Sequence, residues 1–345
     1  MTSAIDPSIS PARDRVIRRL ARDVRRFPDL DLAPIDVEGL DARDAAFAHA
    51  LHDGTIRRWL TLEYLLQLGL SKPIETLEPR VRAALLAAAA QLLFMDKAPA
   101  HAAVHESVEW AKRVIRPGAG SLVNAALRRL TERLTEDRAE RSEDARNHIP
   151  LSSGAALILA EPCLPENDVE RLAVATSNPV SLLRHWLKSM SMREVRALAV
   201  HGLARPPVIL NTACAAAPLP EETTDSGDPL LIPHEAPGHH VFRGDRPRLI
   251  SLLAQRNDIW VQDPASSLAV MSVTDLKPAL VIDPCAGRGT KTRQLAAVFP
   301  NAEIIATDVD DDRRNDLTRA FRNHPTVRAI HPRDLAKWNA RADLI

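Results

Sequence analysis

The sequence is poor in aromatic residues and in cysteine, and its charges cancel. Aromatic side chains make up 3% of the 345 residues, so aliphatic side chains and alanine must form most of the core. Lysine plus arginine (45) equals aspartate plus glutamate (45), so the net charge gives no indication of a nucleic-acid partner and only local clustering could. The three cysteines, Cys163, Cys214 and Cys285, form no Cys-x-x-Cys pair. This spacing argues against a disulfide framework and a zinc site, and is typical of a reducing compartment.

The sequence also shows no signal peptide and no membrane-spanning stretch. Residues 1–15 contain no apolar run of the kind that a signal peptide requires. The longest apolar stretch, Ala83 to Met95, is too short to cross a bilayer and predicts a buried helix. His239 and His240 have no third ligand at a useful spacing, so no metal site is predicted. We therefore expect a cytoplasmic protein without membrane or metal partners.

Helical periodicity dominates the first part of the chain, from residue 12 to residue 135. After a first helix, further helices are predicted over 41–53, 55–69, 79–95, 101–114 and 121–135. The short connections between them predict a compact all-α bundle. The charged residues 136–150 are typical of a linker, and a helical stretch is predicted from 151 to 175.

The second half of the chain has a different pattern of predicted secondary structure. Residues 176–258 mix amphipathic helices, short strands and loops, which predicts a small α+β domain. From residue 259 onward, short β-rich runs alternate with helices. This alternation predicts βαβ units and a parallel sheet.

The predicted first helix carries arginines on one face and apolar residues on the other. The candidate RNA-binding residues are Arg15, Arg18, Arg19 and Arg22. Such a stripe can lie along a phosphate backbone, because the guanidinium fork matches phosphate oxygens. The alternative is a solvated face that nearby aspartates partly neutralise, and the sequence leaves both interpretations open.

The strongest local signal is the glycine-containing stretch VIDPCAGRGTKT at 281–292. It ends a predicted strand and opens a helix, where glycines let the backbone approach a ligand and the helix N-terminus favours a negative group. Asp308 ends the next predicted strand, where a carboxylate can accept hydrogen bonds from ribose hydroxyls. Together these features predict a cofactor that contains a nucleoside.

Two other phosphate-binding motifs do not fit this stretch. A P-loop requires glycine directly before the Lys-Thr pair, where Thr290 stands. The dinucleotide fingerprint requires a third glycine, which is absent. A tight turn followed by a strand-ending aspartate, without any ligand, remains open.

The same stretch resembles the cofactor loop of the RsmB/Sun family of RNA cytosine-C5 methyltransferases, commonly D-x-C-A-A-P-G-G-K-T. Residues 260–267, WVQDPASS, are similar to the Q-D-x-x-S segment that precedes it in that family. Residues 41–130 resemble the NusB-type RNA-binding domain at the N-terminus of the same proteins. This likeness is carried by RD at 43–44, GTIRR at 54–58, QLLF at 91–94, AVHESV at 103–108 and VNAALR at 123–128. The SNP sequence at 177–179 resembles the start of the family's small linking domain.

The resemblance implies a multidomain fold with four parts. They are an all-α NusB-like bundle (12–135), a linker or helical segment (136–175), a small α+β linking domain (176–258) and the N-terminal part of an α/β Rossmann-like methyltransferase domain (259–345). The methyltransferase domain is expected to be truncated, because the family's sheet continues beyond the strand that begins at 342–345.

The implied cofactor is S-adenosylmethionine, and the implied partner is RNA, with 16S rRNA as the family's target. The residues expected at the cofactor are Cys285, Ala286, Gly287, Arg288, Gly289, Thr290, Lys291, Asp308 and Asp334. Among these, Asp308 would bind the ribose and Asp334 would lie near the adenine. Arg288 and Thr290 replace the family's usual proline and second glycine. The arginine can add a positive charge near the cofactor carboxylate or face solvent.

No catalytic residue is assigned in this sequence. In the family a cysteine thiolate adds to C6 of cytosine, which allows C5 to attack the methyl group. That cysteine, and the D-x-P-C motif before it, are expected beyond residue 345. Cys285 would lie beside the cofactor rather than the base. The chain is therefore expected to be an rRNA cytosine-C5 methyltransferase by resemblance, and inactive as it stands.

Two other functions are alternatives to this one. A non-catalytic RNA-binding protein of NusB type, acting in transcription or ribosome assembly, is the alternative. A small-molecule methyltransferase is disfavoured, because such an enzyme has no need of the N-terminal helical domain.

Overall fold

The computed structural model describes residues 10–31, 33–95, 100–339 and 341–345. The chain divides into two compact units, residues 1–205 and residues 206–345. The boundary lies inside the linking domain that the sequence predicts at 176–258, and the four-part division stays a prediction. None of the helices in the described residues is both long and apolar enough to cross a membrane.

The first unit begins with six helices. They are α1 (Pro11–Arg26), α2 (Ala42–Arg57), α3 (Trp59–Gln67), α4 (Pro79–Phe94), α5 (Ala100–Val114) and α6 (Pro117–Thr131), with a 3-10 turn at Ile74–Thr76. Helix α4 lies at the centre and contacts the other five. Every residue from Ala83 to Ala90 is at most 2% exposed, so α4 is buried on all sides. The predicted buried helix is therefore confirmed.

Helix α6 begins four residues earlier than the sequence predicts. Pro117 occupies its first turn, where the missing N–H of proline has no helical partner to lose. A side chain at Gly120 would collide with Lys112 of α5. The glycines that were expected to separate two helices therefore lie inside α6, where Gly120 lets it cross α5 closely.

A small sheet follows α6, where the sequence predicts a linker and a helix. Strands β1 (Leu134–Glu140), β2 (His148–Pro150) and β3 (Ala155–Leu159) are antiparallel in the order β1-β3-β2. Ile149 and Leu157 are at most 1% exposed and join the helical core. Strand β1 is an exposed, charged edge, so its sequence carries no apolar alternation that could have distinguished it from a linker.

Three short helices complete the first unit. They are α7 (Asp168–Thr176), α8 (Val180–Trp186) and α9 (Met192–His201). Leu172, Leu183 and Val195 form a separate core between them. Helix α9 begins with a capping box, in which the side chains of Ser191 and Glu194 each accept a hydrogen bond from the other's backbone N–H.

The second unit starts with a four-stranded antiparallel sheet. Its strands are β4 (Val208–Asn211), β5 (Leu231–Pro233), β6 (His239–Phe242) and β7 (Trp260–Val261), in the order β5-β6-β4-β7. Helix α10 (Arg246–Gln255) connects β6 to β7. Leu210, Leu230 and Ile259 are buried in the core of this sheet.

A parallel sheet of three strands forms the rest of the second unit. Its elements are α11 (Pro264–Met271), β8 (Leu280–Asp283), α12 (Thr290–Val298), β9 (Glu303–Ala306), α13 (Asp311–Ala320), β10 (Val327–Ala329), a 3-10 turn (Pro332–Asp334) and α14 (Ala336–Asn339). The strand order is β10-β9-β8, and Leu344 forms a further parallel bridge with Val281 of β8. The predicted βαβ alternation is confirmed, and with it the multidomain class of an all-α region followed by mixed α/β structure.

A group of charged side chains is buried between α1 and α2. Asp23 is 1% exposed, and Arg19 lies 3.3 Å from it with 8% of its side chain exposed. Nε2 of His52 lies 3.6 Å from the same carboxylate. Arg19 also donates hydrogen bonds to the backbone oxygens of Asp31 and Ala33. Buried charges are tolerated only when they are paired in this way.

Replacing Asp23 with alanine should lower the free energy of unfolding of the helical unit by about 1–3 kcal/mol, because the buried Arg19 would lose one of its two carboxylate partners and keep only Asp31, which is 42% exposed. Urea unfolding followed by far-ultraviolet circular dichroism measures this loss. Asp29→Ala, at an exposed position just after α1, is the matched control. The role of the ion pair would be refuted if both variants lost the same amount.

Candidate cofactor site and nucleic-acid surface

The candidate site lies at the edge of the parallel sheet where β8 and β9 end. Asp283 of β8 pairs with Ala306 of β9 in parallel register, so the residues that follow both strands emerge side by side. The glycine loop, residues 284–289, follows β8 and leads directly into α12. Asp308 follows β9 after one intervening residue.

Backbone hydrogen bonds tie the glycine loop to the residues after β9. The N–H of Ala286 donates to the backbone oxygen of Thr307 (2.9 Å). The N–H of Gly287 donates to Oδ2 of Asp308 (2.8 Å), and the N–H of Asp310 donates to Oδ1 (2.9 Å). Each carboxylate oxygen can accept a further bond. The structure therefore brings together the loop and the acid that the sequence singled out.

Both glycines of the loop have left-handed backbone conformations. Gly287 has φ +58°, and a Cβ built there would meet no atom within 4 Å. Gly289 has φ +91°, and its Cβ would lie 2.5 Å from Phe321 and 2.9 Å from Leu317. Gly287 thus leaves open space on its Cβ side, whereas Gly289 lets the start of α12 lie close to the side chains of Leu317 and Phe321.

The pKa values of two carboxyl groups near the loop are shifted in opposite directions. Burial raises the pKa of Asp283 above its ordinary value, although the side chain of Thr292 donates a hydrogen bond to it at 2.7 Å. The N–H of Asp310, together with that of Gly287, holds the pKa of Asp308 below its ordinary value. Asp308 is therefore ionised at neutral pH and able to accept hydrogen bonds from a ligand.

The other predicted loop residues are mostly exposed. Cys285, Thr290 and Lys291 have exposed side chains, whereas Ala286 is buried. Arg288 is 76% exposed, and its Nε lies 3.2 Å from Asp316 of α13. Its guanidinium group is thus paired with a carboxylate of the protein, and a role beside the cofactor carboxylate stays a prediction.

Asp334 lies in the 3-10 turn after β10. Its carboxylate accepts a hydrogen bond from Lys337 at 2.7 Å and lies 4.0 Å from Arg333. Within the described part of the chain, no hydrogen bond joins it to the glycine loop. A role for Asp334 near the adenine stays a prediction.

Val309 lies at the site but is not distinguished by any sequence motif. It directly follows Asp308, and its side chain is 86% exposed, more than any other large apolar side chain in the described residues. The available signal was an apolar residue placed immediately after the strand-ending acid. An exposed valine beside a carboxylate offers an apolar surface next to a hydrogen-bonding group, as small-molecule sites commonly do.

The predicted RNA-binding arginines of α1 fall into different environments. Arg19 is buried in the ion cluster described above and is not available to a ligand. Arg15 donates to the backbone oxygen of Glu38 at 2.7 Å. Arg18 is half exposed and bonds to Asp14 at 2.8 Å. Arg22 is exposed.

An open groove of about 410 Å³ runs along the exposed side of α1. Besides Arg18 and Arg22, it is lined by Arg25 and by Arg80 at the start of α4. The side chains of Arg22, Arg25 and Arg80 are exposed. The sequence does not group Arg80 with the arginines of α1, because it lies far from them along the chain. Six arginines and two aspartates, Asp14 and Asp36, line the groove, so positive charge predominates there in a protein whose net charge is zero.

Metal ligands are not grouped in the described residues, where no set of three or more His, Cys, Asp and Glu side chains could hold an ion. The two adjacent histidines lie on β6. Nδ1 of His239 is 3.0 Å from the backbone oxygen of Pro237, and Nδ1 of His240 is 2.9 Å from the hydroxyl of Thr212.

Comparison with known proteins finds a family model that matches part of the first unit and relatives that match most of the chain. Residues 18–132 match the model of the NusB family. The chain is 26% identical over 264 residues to the probable ribosomal RNA small subunit methyltransferase B of Bacillus subtilis (strain 168), covering 74% of this chain and 52% of that protein. It is 27% identical over 324 residues to the ribosomal RNA small subunit methyltransferase B of Pseudomonas putida, covering 88% of this chain and 65% of that protein.

The chain thus spans between about half and two thirds of the length of these curated relatives. Among solved structures, the crystal structure of PH0851 superposes with a TM-score of 0.59 and 18% identity. It covers 93% of this chain and 69% of that chain. At this identity the likeness concerns the fold alone.

Gly289→Ala should destabilise the second unit more than Gly287→Ala. The alanine at 287 carries only the strain of a left-handed backbone, about 1–2 kcal/mol. The alanine at 289 adds a steric collision with Phe321 and Leu317, about 1–3 kcal/mol more. Urea unfolding monitored by tryptophan fluorescence and by hydrogen exchange in α12 compares the two. Equal losses would show that the close approach of Leu317 and Phe321 is not what requires glycine at position 289.

Proposed function

We propose that this chain, which carries a NusB-family domain and is related over most of its length to ribosomal RNA small subunit methyltransferase B proteins, binds S-adenosylmethionine at the glycine loop. The proposed reaction is methylation of C5 of cytosine in ribosomal RNA. The relatives are small-subunit ribosomal RNA methyltransferases by name, which supports a small-subunit rRNA substrate, 16S rRNA in bacteria. An rRNA substrate also implies a cytoplasmic location.

The observation that carries the proposal is the hydrogen bond between the N–H of Gly287 and Asp308. It joins the end of one parallel strand to the acid after the next, which is the arrangement that nucleoside-containing cofactors use in this class of sheet. The free acceptor sites of Asp308 suit ribose hydroxyls, and the exposed Val309 suits the face of an adenine ring. The helix N-terminus at Thr290 and Lys291 suits the carboxylate of the methionine portion.

Within this proposal the chain's own residues bind and orient the cofactor, which supplies the methyl group when bound. Asp308 fixes the ribose, and Gly287 leaves room for the ligand beside the backbone. The ionised state of Asp308 at neutral pH, favoured by two backbone N–H groups, keeps it a hydrogen-bond acceptor. The residue that attacks the RNA base is not among those assigned to this site.

RNA binding is proposed for the groove lined by Arg18, Arg22, Arg25 and Arg80. Exposed guanidinium groups on neighbouring helices can contact successive phosphates, because the arginine fork matches phosphate geometry. The same groove favours the second candidate function, a non-catalytic RNA-binding protein. The two functions differ in whether the glycine loop binds the cofactor.

The cofactor proposal predicts that the 345-residue chain binds S-adenosylmethionine and that Asp308→Ala weakens binding at least tenfold. A hydrogen bond to a charged group contributes about 1.5–3 kcal/mol, and each tenfold change corresponds to about 1.4 kcal/mol. Isothermal titration calorimetry measures the Kd. Asp312→Ala, at an exposed position in the first turn of α13, serves as the control. Failure of the unaltered chain to bind would reject the cofactor site and leave the RNA-binding function.

The RNA proposal predicts a weaker salt dependence of RNA binding when Arg22, Arg25 and Arg80 are all changed to glutamine. Each lost phosphate contact lowers the slope of log Kd against log salt by about 0.7 on single strands, so a reduction of about 2 is expected. Fluorescence anisotropy with a single-stranded rRNA fragment over a salt series measures the slope.

A matched control replaces three exposed arginines of the same unit that lie outside the groove, Arg57, Arg128 and Arg205, with glutamine. The control loses the same net charge, so a general electrostatic effect would alter both variants equally. Equal slopes for the two triple variants would reject the groove as the RNA-binding surface.

A further inference from the structure

A chain of buried polar side chains crosses the second unit. It begins at Asn211 on β4, passes Trp260 and Gln262 at β7, and ends at Gln294 on α12. Each of these residues is between 1% and 5% exposed. The cofactor proposal assigns no role to any of them. Polar groups this deeply buried are retained only when their hydrogen bonds are satisfied.

The hydrogen bonds form one continuous path. Nδ2 of Asn211 and Nε1 of Trp260 both donate to Oε1 of Gln262, at 2.9 Å and 2.6 Å. Nε2 of Gln262 donates to Oε1 of Gln294 at 2.7 Å. Nε2 of Gln294 then donates to the backbone oxygen of Ser267 on α11 at 3.1 Å.

The direction of this path is fixed by its ends. The indole N–H of Trp260 can only donate, so the atom of Gln262 that faces it must be the oxygen. The backbone oxygen of Ser267 can only accept, so the atom of Gln294 that faces it must be the nitrogen. The two glutamine amides are therefore held in single orientations, and their aligned dipoles strengthen one another.

Gln294 connects this path to the helix that follows the glycine loop. It lies one turn into α12, which begins at Thr290 directly after Gly289. On the same helix, Thr292 is fully buried and donates to Asp283 of β8 at 2.7 Å. Two side chains thus fix the rotation of α12 about its axis, one to the parallel sheet and one to the antiparallel sheet. The start of α12, and with it the end of the loop, can move only if one of these bonds breaks.

We propose that Gln262 and Gln294 are positioning residues for the cofactor loop, through which the antiparallel sheet of residues 208–261 sets the geometry of the loop. Neither side chain touches the ligand; both act by holding α12. The segment before β8 is then part of the cofactor site and not only a connection. The proposal rests on the proposed function for its ligand, but the order of the loop can be measured without any ligand.

The test compares Gln294→Met with Val327→Ala in the 345-residue chain. The methionine keeps the length of the side chain and removes both of its hydrogen bonds. The control removes buried methyl groups from β10 and leaves the polar path intact. For Gln294→Met we expect about a tenfold higher Kd for S-adenosylmethionine and at least tenfold faster hydrogen exchange at the amides of Gly287 and Gly289. The control should lower Tm without either effect.

A double-variant cycle tests whether the two glutamines act through each other. If they do, Gln262→Met combined with Gln294→Met should exchange its loop amides no faster than the worse of the two single variants. Effects that multiply would overturn the proposal, because each residue would then act independently of the shared bond.

Gln294→Glu provides a conservative variant in case the methionine variants do not fold. A protonated glutamic acid can accept from Gln262 and donate to Ser267, whereas the ionised form cannot donate. Loop protection should therefore approach that of the unaltered chain as pH falls below the pKa of the new carboxyl. Loop amides of Gln294→Glu that stay equally under-protected relative to the unaltered chain at every pH, or loop exchange that is equal in Gln294→Met and Val327→Ala at one pH, overturns the proposal. A chain that binds no S-adenosylmethionine but shows the predicted exchange rates rejects only the cofactor function.

Discussion

Parallel pairing of β8 with β9 aligns the two strands so that the segments after them continue to hydrogen-bond beyond the sheet. The N–H of Thr307 donates to the oxygen of Asp283, and the N–H of Ala286 donates back to the oxygen of Thr307. Gly287 then bonds to the side chain of Asp308 instead of to the backbone. The glycine loop is thus an extension of the strand ladder, and its position follows from the register of the sheet.

Paired polar groups inside the protein connect segments that lie far apart in sequence. In the first unit, Nη2 of Arg13 donates to Gln91, 78 residues away, at 2.7 Å. Burial lowers the pKa of Arg13 to about 10 and yet leaves it charged at neutral pH. In the second unit, the hydrogen-bonded path through Gln262 also connects distant segments, but its side chains are uncharged. An apolar contact tolerates small shifts, whereas a buried hydrogen bond has one acceptable geometry, so these groups restrict how the elements can pack.

The arginines of α1 fall into two sets, one that stabilises the fold and one that faces solvent. Arg13 and Arg19 are buried and pair with residues of the protein, whereas Arg22 and Arg25 are exposed along the groove. A chain with no net charge can present a local basic surface here, because Arg22 and Arg25 of α1 line the same groove as Arg80.

The sequence by itself determined the features that depend on near neighbours along the chain. Helical periodicity located the buried helix α4, alternation of strands and helices predicted the parallel sheet, and the pattern of strand ends singled out the glycine loop and Asp308. Only the tertiary structure decided which arginines of α1 are exposed, that residues 134–159 form a sheet, and that Gln262 contacts Gln294. These features depend on partners that are distant in sequence. A charged edge strand resembles a linker in sequence. An arginine or a glutamine can lie in water or, when its hydrogen bonds are paired, inside the protein, and the sequence does not distinguish the two. The local sequence pattern shows the spacing of apolar residues and therefore the type of element. Whether a polar side chain is buried depends on the group that the fold places next to it.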